Sequence, residues 1–124
     1  MEDCIFCNLE NSRIENKSEF FISIKDLYPV TKEHTLIISK RHVASYFDLS
    51  EEEKSDLISF LDFERDKILR DDNSIDGFNV GINDGQHAGQ TIMHFHIHLI
   101  PRRKGDVKDP TGGVRGVIPI KQKY

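Results

Sequence analysis

Apolar and polar positions alternate most strictly over residues 94–101, which read His-Phe-His-Ile-His-Leu-Ile-Pro. A period of two predicts a half-buried β-strand. Successive side chains on a strand point to opposite faces, so His94, His96 and His98 share one face, about 6–7 Å apart. Phe95, Ile97 and Leu99 turn the other way, into a core. Residues 19–25 (Glu-Phe-Phe-Ile-Ser-Ile-Lys) and 34–40 (His-Thr-Leu-Ile-Ile-Ser-Lys) read as two more strands, joined by a turn that contains Pro29. So short a connection makes them antiparallel neighbours. A further strand is expected over 77–82.

The period changes after Leu49. Ser50 is a good N-cap, Glu53 completes a capping box, and the acidic first turn suits the helix dipole. Leu57, Leu61, Ile68 and Leu69 form the apolar stripe of the helix, broadened by Ile58 and Phe60. It is expected to end near Arg70, before the polar run 71–74. Residues 8–18 are short and polar, so a helix there is brief or absent. Residues 83–91 are a glycine-bearing loop, and residues 105–124 read as a flexible basic tail within the domain. The whole predicts a single α+β domain over residues 1–124, built on a bent antiparallel sheet of about five strands with one long helix.

Composition narrows the partners. The net charge is −4, which argues against non-specific nucleic-acid binding. No apolar run approaches a membrane span. The opening Met1-Glu2-Asp3 is acidic, unlike a secretory signal, and predicts a cytosolic protein. In a reducing compartment the two cysteines, Cys4 and Cys7, are unlike a disulfide. Cys-x-x-Cys serves redox chemistry or forms half of a zinc site. The redox version normally follows a strand, and none precedes this pair. Zinc is the better reading, with histidines as the remaining ligands.

Three imidazoles on one strand face need partners, because burying an unpaired polar group costs about 1–3 kcal/mol. Two explanations compete. In one the strip is a set of metal ligands; in the other a neutral histidine is a nucleophile or base tuned by its neighbours.

The stretch Gly89-Gln90-Thr91-Ile92-Met93-His94-Phe95-His96-Ile97-His98-Leu99-Ile100-Pro101-Arg102 resembles the signature of the histidine triad (HIT) superfamily, His-φ-His-φ-His-φ-φ with φ apolar. Gly-Gln-Thr upstream and Pro-Arg-Arg-Lys-Gly-Asp downstream are most similar to its fragile-histidine-triad and bacterial branches. Residues Asp26, His34, residues 35–40, His42 and Asn83 also fall where the family places functional or framework residues. The resemblance implies a hydrolase or transferase acting on the α-phosphate of a purine nucleotide, in a dinucleoside polyphosphate or a nucleoside phosphoramidate. His96 would be the nucleophile and form a covalent nucleotidyl-histidine. His98 would contact the phosphate or leaving group, and His34 would support the triad. Asp26 would bind ribose. Asn83 and the backbone of Gly89, Gln90 and Thr91 would contact phosphate. It further implies a structural zinc held by Cys4, Cys7, His42 and His94, no organic cofactor, and a homodimer. Two competitors stay open. One is a zinc-dependent hydrolase that uses His94, His96 and His98 as catalytic ligands. The other is a nucleotide sensor without turnover.

Some positions depart from the family pattern. The segment after the cysteines lacks Gly-Glu-Ile-Pro, Ser39 replaces the usual proline before Lys-x-His, and Ile100-Pro101 follows the triad in place of glutamine. In the tail, Arg115 reads as a solvated basic residue.

Overall fold

The computed structural model describes residues 3–124. Its strands are β1 (Ile14–Lys17), β2 (Phe21–Lys25), β3 (Thr35–Ser39), β4 (Gly77–Gly81) and β5 (His96–Arg102), and its one long helix is α1 (Glu51–Asp71). The strands form one antiparallel sheet in the order β1-β2-β3-β5-β4. This is the expected α+β architecture.

β2 and β3 lie inside the sheet and are buried on both faces, which accounts for their near-continuous apolar runs. One face meets the helix, where Phe21, Ile37, Phe95 and Ile97 pack with Leu57 and Phe60. The other face carries Ile22, Ile24, Leu36 and Ile38 under Phe6 of the cysteine segment. Register places Leu36 opposite His98 and Ile38 opposite His96. The histidines therefore stand on the face turned away from the helix.

The helix start is as the sequence predicts. Ser50 Oγ accepts from the Glu53 N–H at 3.0 Å, and the Glu53 carboxylate accepts from the Ser50 N–H at 2.8 Å. Such a cap contributes about 1 kcal/mol. The same carboxylate takes two bonds from Arg41, at 2.8 and 3.1 Å. The buried stripe differs from the expected one. It runs Glu53, Leu57, Phe60, Glu64, Ile68, whereas Ile58 is 66% exposed and Leu61 and Leu69 are half-buried. Glu64 is tolerated inside because its carboxylate accepts from the Ser23 hydroxyl and from Asn16 Nδ2.

Two boundaries also differ. Part of the polar segment 8–18 forms the edge strand β1, preceded by a 3₁₀ turn at Asn11–Arg13. An edge strand needs little apolar surface, and of its four residues only Ile14 is apolar. β5 begins at His96, leaving His94 just before it, and continues through Pro101. Proline fits there although β4 pairs it at Phe78, because its backbone polar groups turn to the β3 side, where pairing stops at Leu99 and Thr31 Oγ1 donates to the Pro101 carbonyl. Beyond β5, Gly113–Val117 and Pro119–Lys121 form two short 3₁₀ turns. No helix among the described residues is long and apolar enough to cross a membrane.

Candidate active site and metal centre

The hydrogen-bond partners of each imidazole fix which of its nitrogens carries the proton. His96 faces the backbone carbonyl of His94 with Nδ1, at 2.8 Å. A carbonyl only accepts, so Nδ1 carries the proton and Nε2 is left bare. Phe6 packs edge-on against this ring, with centroids 5.0 Å apart.

His34 is buried where β3 begins. Its Nδ1 accepts from the Val30 N–H at 3.0 Å, so its proton sits on Nε2. Nε2–H in turn donates to His98 Nδ1 at 2.9 Å. The His98 proton is thereby fixed on Nε2. One imidazole supports the other, and the second keeps a donor for an incoming ligand. Asp26 Oδ2 lies 3.5 Å from His34 Nε2, while Asp26 Oδ1 accepts from the Tyr28 N–H at 2.9 Å. Asp26, His34 and His98 could also hold a metal by proximity, but their two facing nitrogens are already joined to each other.

Burial disfavours a charged imidazole at all three positions. It lowers the pKa of His34 and of His96, with Asp26 opposing the shift at both. His98 is pushed down to about 4, by burial first and then by His96 and His34. An unfolded chain takes up this proton near pH 6.5, where the folded chain does not. The contribution of His98 to stability is therefore present above about pH 6.5 and lost as the pH falls toward 4, for a total of about 3 kcal/mol. Urea unfolding at pH 7 and pH 4.5 checks this. The native chain should lose more stability than His98→Asn over that interval, and parallel curves would refute the coupling.

His94 is fully buried and turns the other way. Nε2–H donates to the Ser39 carbonyl at 2.6 Å, which leaves Nδ1 bare. That nitrogen lies 3.3 Å from Cys4 Sγ, 3.5 Å from Cys7 Sγ and 3.2 Å from His42 Nδ1. Cys7 Sγ and His42 Nδ1 are 3.2 Å apart. Tetrahedral zinc, with bonds of about 2.3 Å to sulfur and about 2.05 Å to nitrogen, would separate S from N by about 3.5 Å and N from N by about 3.3 Å. The donor set thus fits a closed Cys₂His₂ zinc site. His94, His96 and His98 do not converge on one point, since their Nδ1 atoms face the cysteines, a carbonyl and His34 respectively.

A cleft of about 390 Å³ collects Asp26, His34, Asn83, Gly89, Thr91, His96 and His98. Ile24, Leu27, Tyr28 and Ile92 supply its apolar walls. Of the residues expected at the substrate, Gln90 alone turns its side chain elsewhere. It is buried, accepts from the Gly85 N–H at 2.8 Å and donates to the Ala44 and Ile92 carbonyls at 2.9 and 3.2 Å. Its backbone N–H bonds the Gly85 carbonyl, and that of Gly89 bonds the Gln86 carbonyl. Asp84, which the sequence did not single out, accepts from the Ser45 hydroxyl and the Tyr46 N–H. Gln90 and Asp84 staple the loop after β4 to the segment after β3. An Asn-Asp-Gly turn gave no sign of that contact.

Residues 11–105 match the HIT domain. A bis(5'-adenosyl)-triphosphatase of Dictyostelium discoideum is 36% identical over 102 residues, covering 82% of this chain and 67% of that protein. A HIT family protein of Bacillus anthracis has a crystal structure that superposes with a TM-score of 0.76 at 36% identity, over 85% of this chain and 77% of that one. A zinc-bound histidine triad family protein of Mycobacterium smegmatis superposes with a TM-score of 0.70 at 32% identity, over 87% and 81%. With its histidine strip on the open sheet face and this match across most of its length, the chain belongs to the HIT domain family.

Proposed function

We propose that the chain is a nucleotide hydrolase or transferase that breaks the bond between an α-phosphate and its leaving group through a covalent nucleotidyl-His96. The observation that carries this reading is the bare Nε2 of His96, a residue that lines the cleft, while its Nδ1–H is held by the His94 carbonyl. A neutral imidazole is a competent nucleophile at pH 7 without a separate base.

Each step balances. His96 Nε2 bonds to phosphorus and the leaving-group bond breaks, its electron pair departing with the leaving group. A phosphate departs as an anion, and an amine takes a proton from solvent. His98 Nε2–H hydrogen-bonds the departing atom, a stabilisation worth several kcal/mol in a water-poor cleft. Water then bonds to phosphorus, releases a proton to solvent, and the P–N electron pair returns to His96. Asp26 would accept from ribose hydroxyls, a role supported by its place in the cleft beside apolar walls that would hold a purine base. Asn83, Gly89 and Thr91 line the same cleft and would border the phosphate, with Gln90 shaping their loop. The activity of the Dictyostelium relative supports a dinucleoside polyphosphate as one substrate class.

The same reading assigns Cys4, Cys7, His42 and His94 to a structural zinc, in keeping with the zinc-bound mycobacterial neighbour. The ion would pin the N-terminal segment, and with it Phe6, to the sheet. A cytosolic homodimer belongs to this reading as well.

The test is interception of the adduct. The protein is mixed with a labelled adenylate donor, quenched in alkaline denaturant because the P–N bond is acid-labile, and mapped by mass spectrometry. Adenylate on His96 is the expected result. Turnover without label at residue 96 overturns the mechanism.

A further inference from the structure

Resting on the proposed attack by His96, the geometry points to Arg103 as the residue that positions the His98 donor, acting through the turn before β3 and the His34 imidazole. His34 owes its tautomer to one backbone group of that turn, the Val30 N–H, at 3.0 Å. Without that N–H, His34 Nδ1 could carry the proton instead. Its Nε2 would then be an acceptor and would draw the His98 proton onto Nδ1. His98 Nε2 would meet the departing atom with a lone pair in place of a proton. The placement of residues 30–34 thus decides whether His98 aids the leaving group or opposes it.

This turn is held from outside. Glu33 has φ +74°, the only positive φ among the described residues that are not glycine. A side-chain-bearing residue keeps that conformation only where its surroundings impose it. Arg103, which follows β5 directly, supplies them. Its Nη1 donates to the Lys32 carbonyl at 3.1 Å and its Nη2 to Glu33 Oε2 at 3.2 Å. The rest of the guanidinium is anchored just past α1, with Nη2 donating to Asp72 Oδ2 at 2.9 Å and Nε to Ser74 Oγ at 3.1 Å. A rigid fork can meet these four acceptors together, which a point donor cannot.

Thr31 Oγ1 adds a second tie, to the Pro101 carbonyl at 2.6 Å. The turn that supplies the Val30 N–H is therefore fixed twice, at Pro101 and Arg103, to the end of the strand that carries His98. Arg103 does not line the cleft that collects Asp26, His96 and His98. Its influence on turnover has to pass through the turn and the two imidazoles.

The experiment measures kcat/KM, which reports the steps up to formation of the adduct, for two adenylate donors. One is adenosine 5'-phosphoramidate, whose amine leaves poorly. The other is the p-nitrophenyl ester of AMP, whose phenolate leaves without help. Arg103→Met should lower the phosphoramidate value by about 10²-fold, the scale of a small misplacement at a reacting group, and keep the nitrophenyl value within a few-fold of native. In a His98→Asn background the same substitution should cost almost nothing further, because the group it positions is gone. Thr31→Val cuts the other tie and leaves the ion pairs in place. It should discriminate between the donors in the same sense, and it decides the matter if Arg103→Met does not fold. No loss, equal losses on both donors, or full additivity with His98→Asn overturns the positioning role and leaves the His96 reading intact. A native chain that releases no AMP from either donor and takes no label on His96 overturns that reading, and this inference with it.

Discussion

Replacing His96 by Asn should stop turnover, by at least about 10³-fold, because the step that needs a nucleophile then has none. Nucleotide affinity should stay close to that of the native chain. Asp26, the apolar walls and His98 are untouched, and Asn is close to imidazole in reach and polarity. Metal content should also be unchanged, since His96 lies outside the Cys4–Cys7–His42–His94 set. This combination separates three mechanisms. A catalytic zinc on the histidine strip requires the variant to lose metal. A sensor requires native nucleotide binding and no native turnover to lose. Parallel measurement of kcat, nucleotide affinity by calorimetry and zinc by atomic spectroscopy decides among them.

Replacing His42 by Ala should empty the metal site and lower the melting temperature by about 10 °C, equivalent to about 3 kcal/mol. His42 is exposed, and among the described residues its side chain bonds only to Cys7 and His94. Little packing is lost on truncation, so the effect reports the ion. The fall is limited because the clusters around Phe21 and Ile68 do not involve the cysteine segment. A chelator should reproduce the shift in the native chain and add nothing in the variant. Unchanged zinc content in His42→Ala would overturn the ligand set.

Much of this was legible in the chain because the signals are local. Ser50 and Glu53 meet each other within one turn, so the helix start can be read from four residues. The alternation of residues 94–101 needs only the pleat of a strand. The misses have a common cause. β1 is nearly all polar because it lies at an edge, and edge position is a property of the sheet. Ile58 is exposed while Glu64 is buried, where Ser23 and Asn16, 41 and 48 positions earlier, offer its carboxylate partners. Gln90 faces inward because carbonyls at Ala44 and Ile92 meet it there.

By itself the sequence determined the helix and every strand but β1, the shared face of the three histidines and the kinds of chemistry open to them, since these follow from backbone periodicity and side-chain identity. Only the tertiary structure decided which nitrogen of each ring is bare. An imidazole places its proton according to the partner it meets. Those partners are the His94 carbonyl for His96, the Ser39 carbonyl for His94, and the Val30 N–H, acting through His34, for His98. Folding brings all but the first from distant strands and loops, and so one histidine faces the cysteines while its neighbours line the cleft beside Asp26.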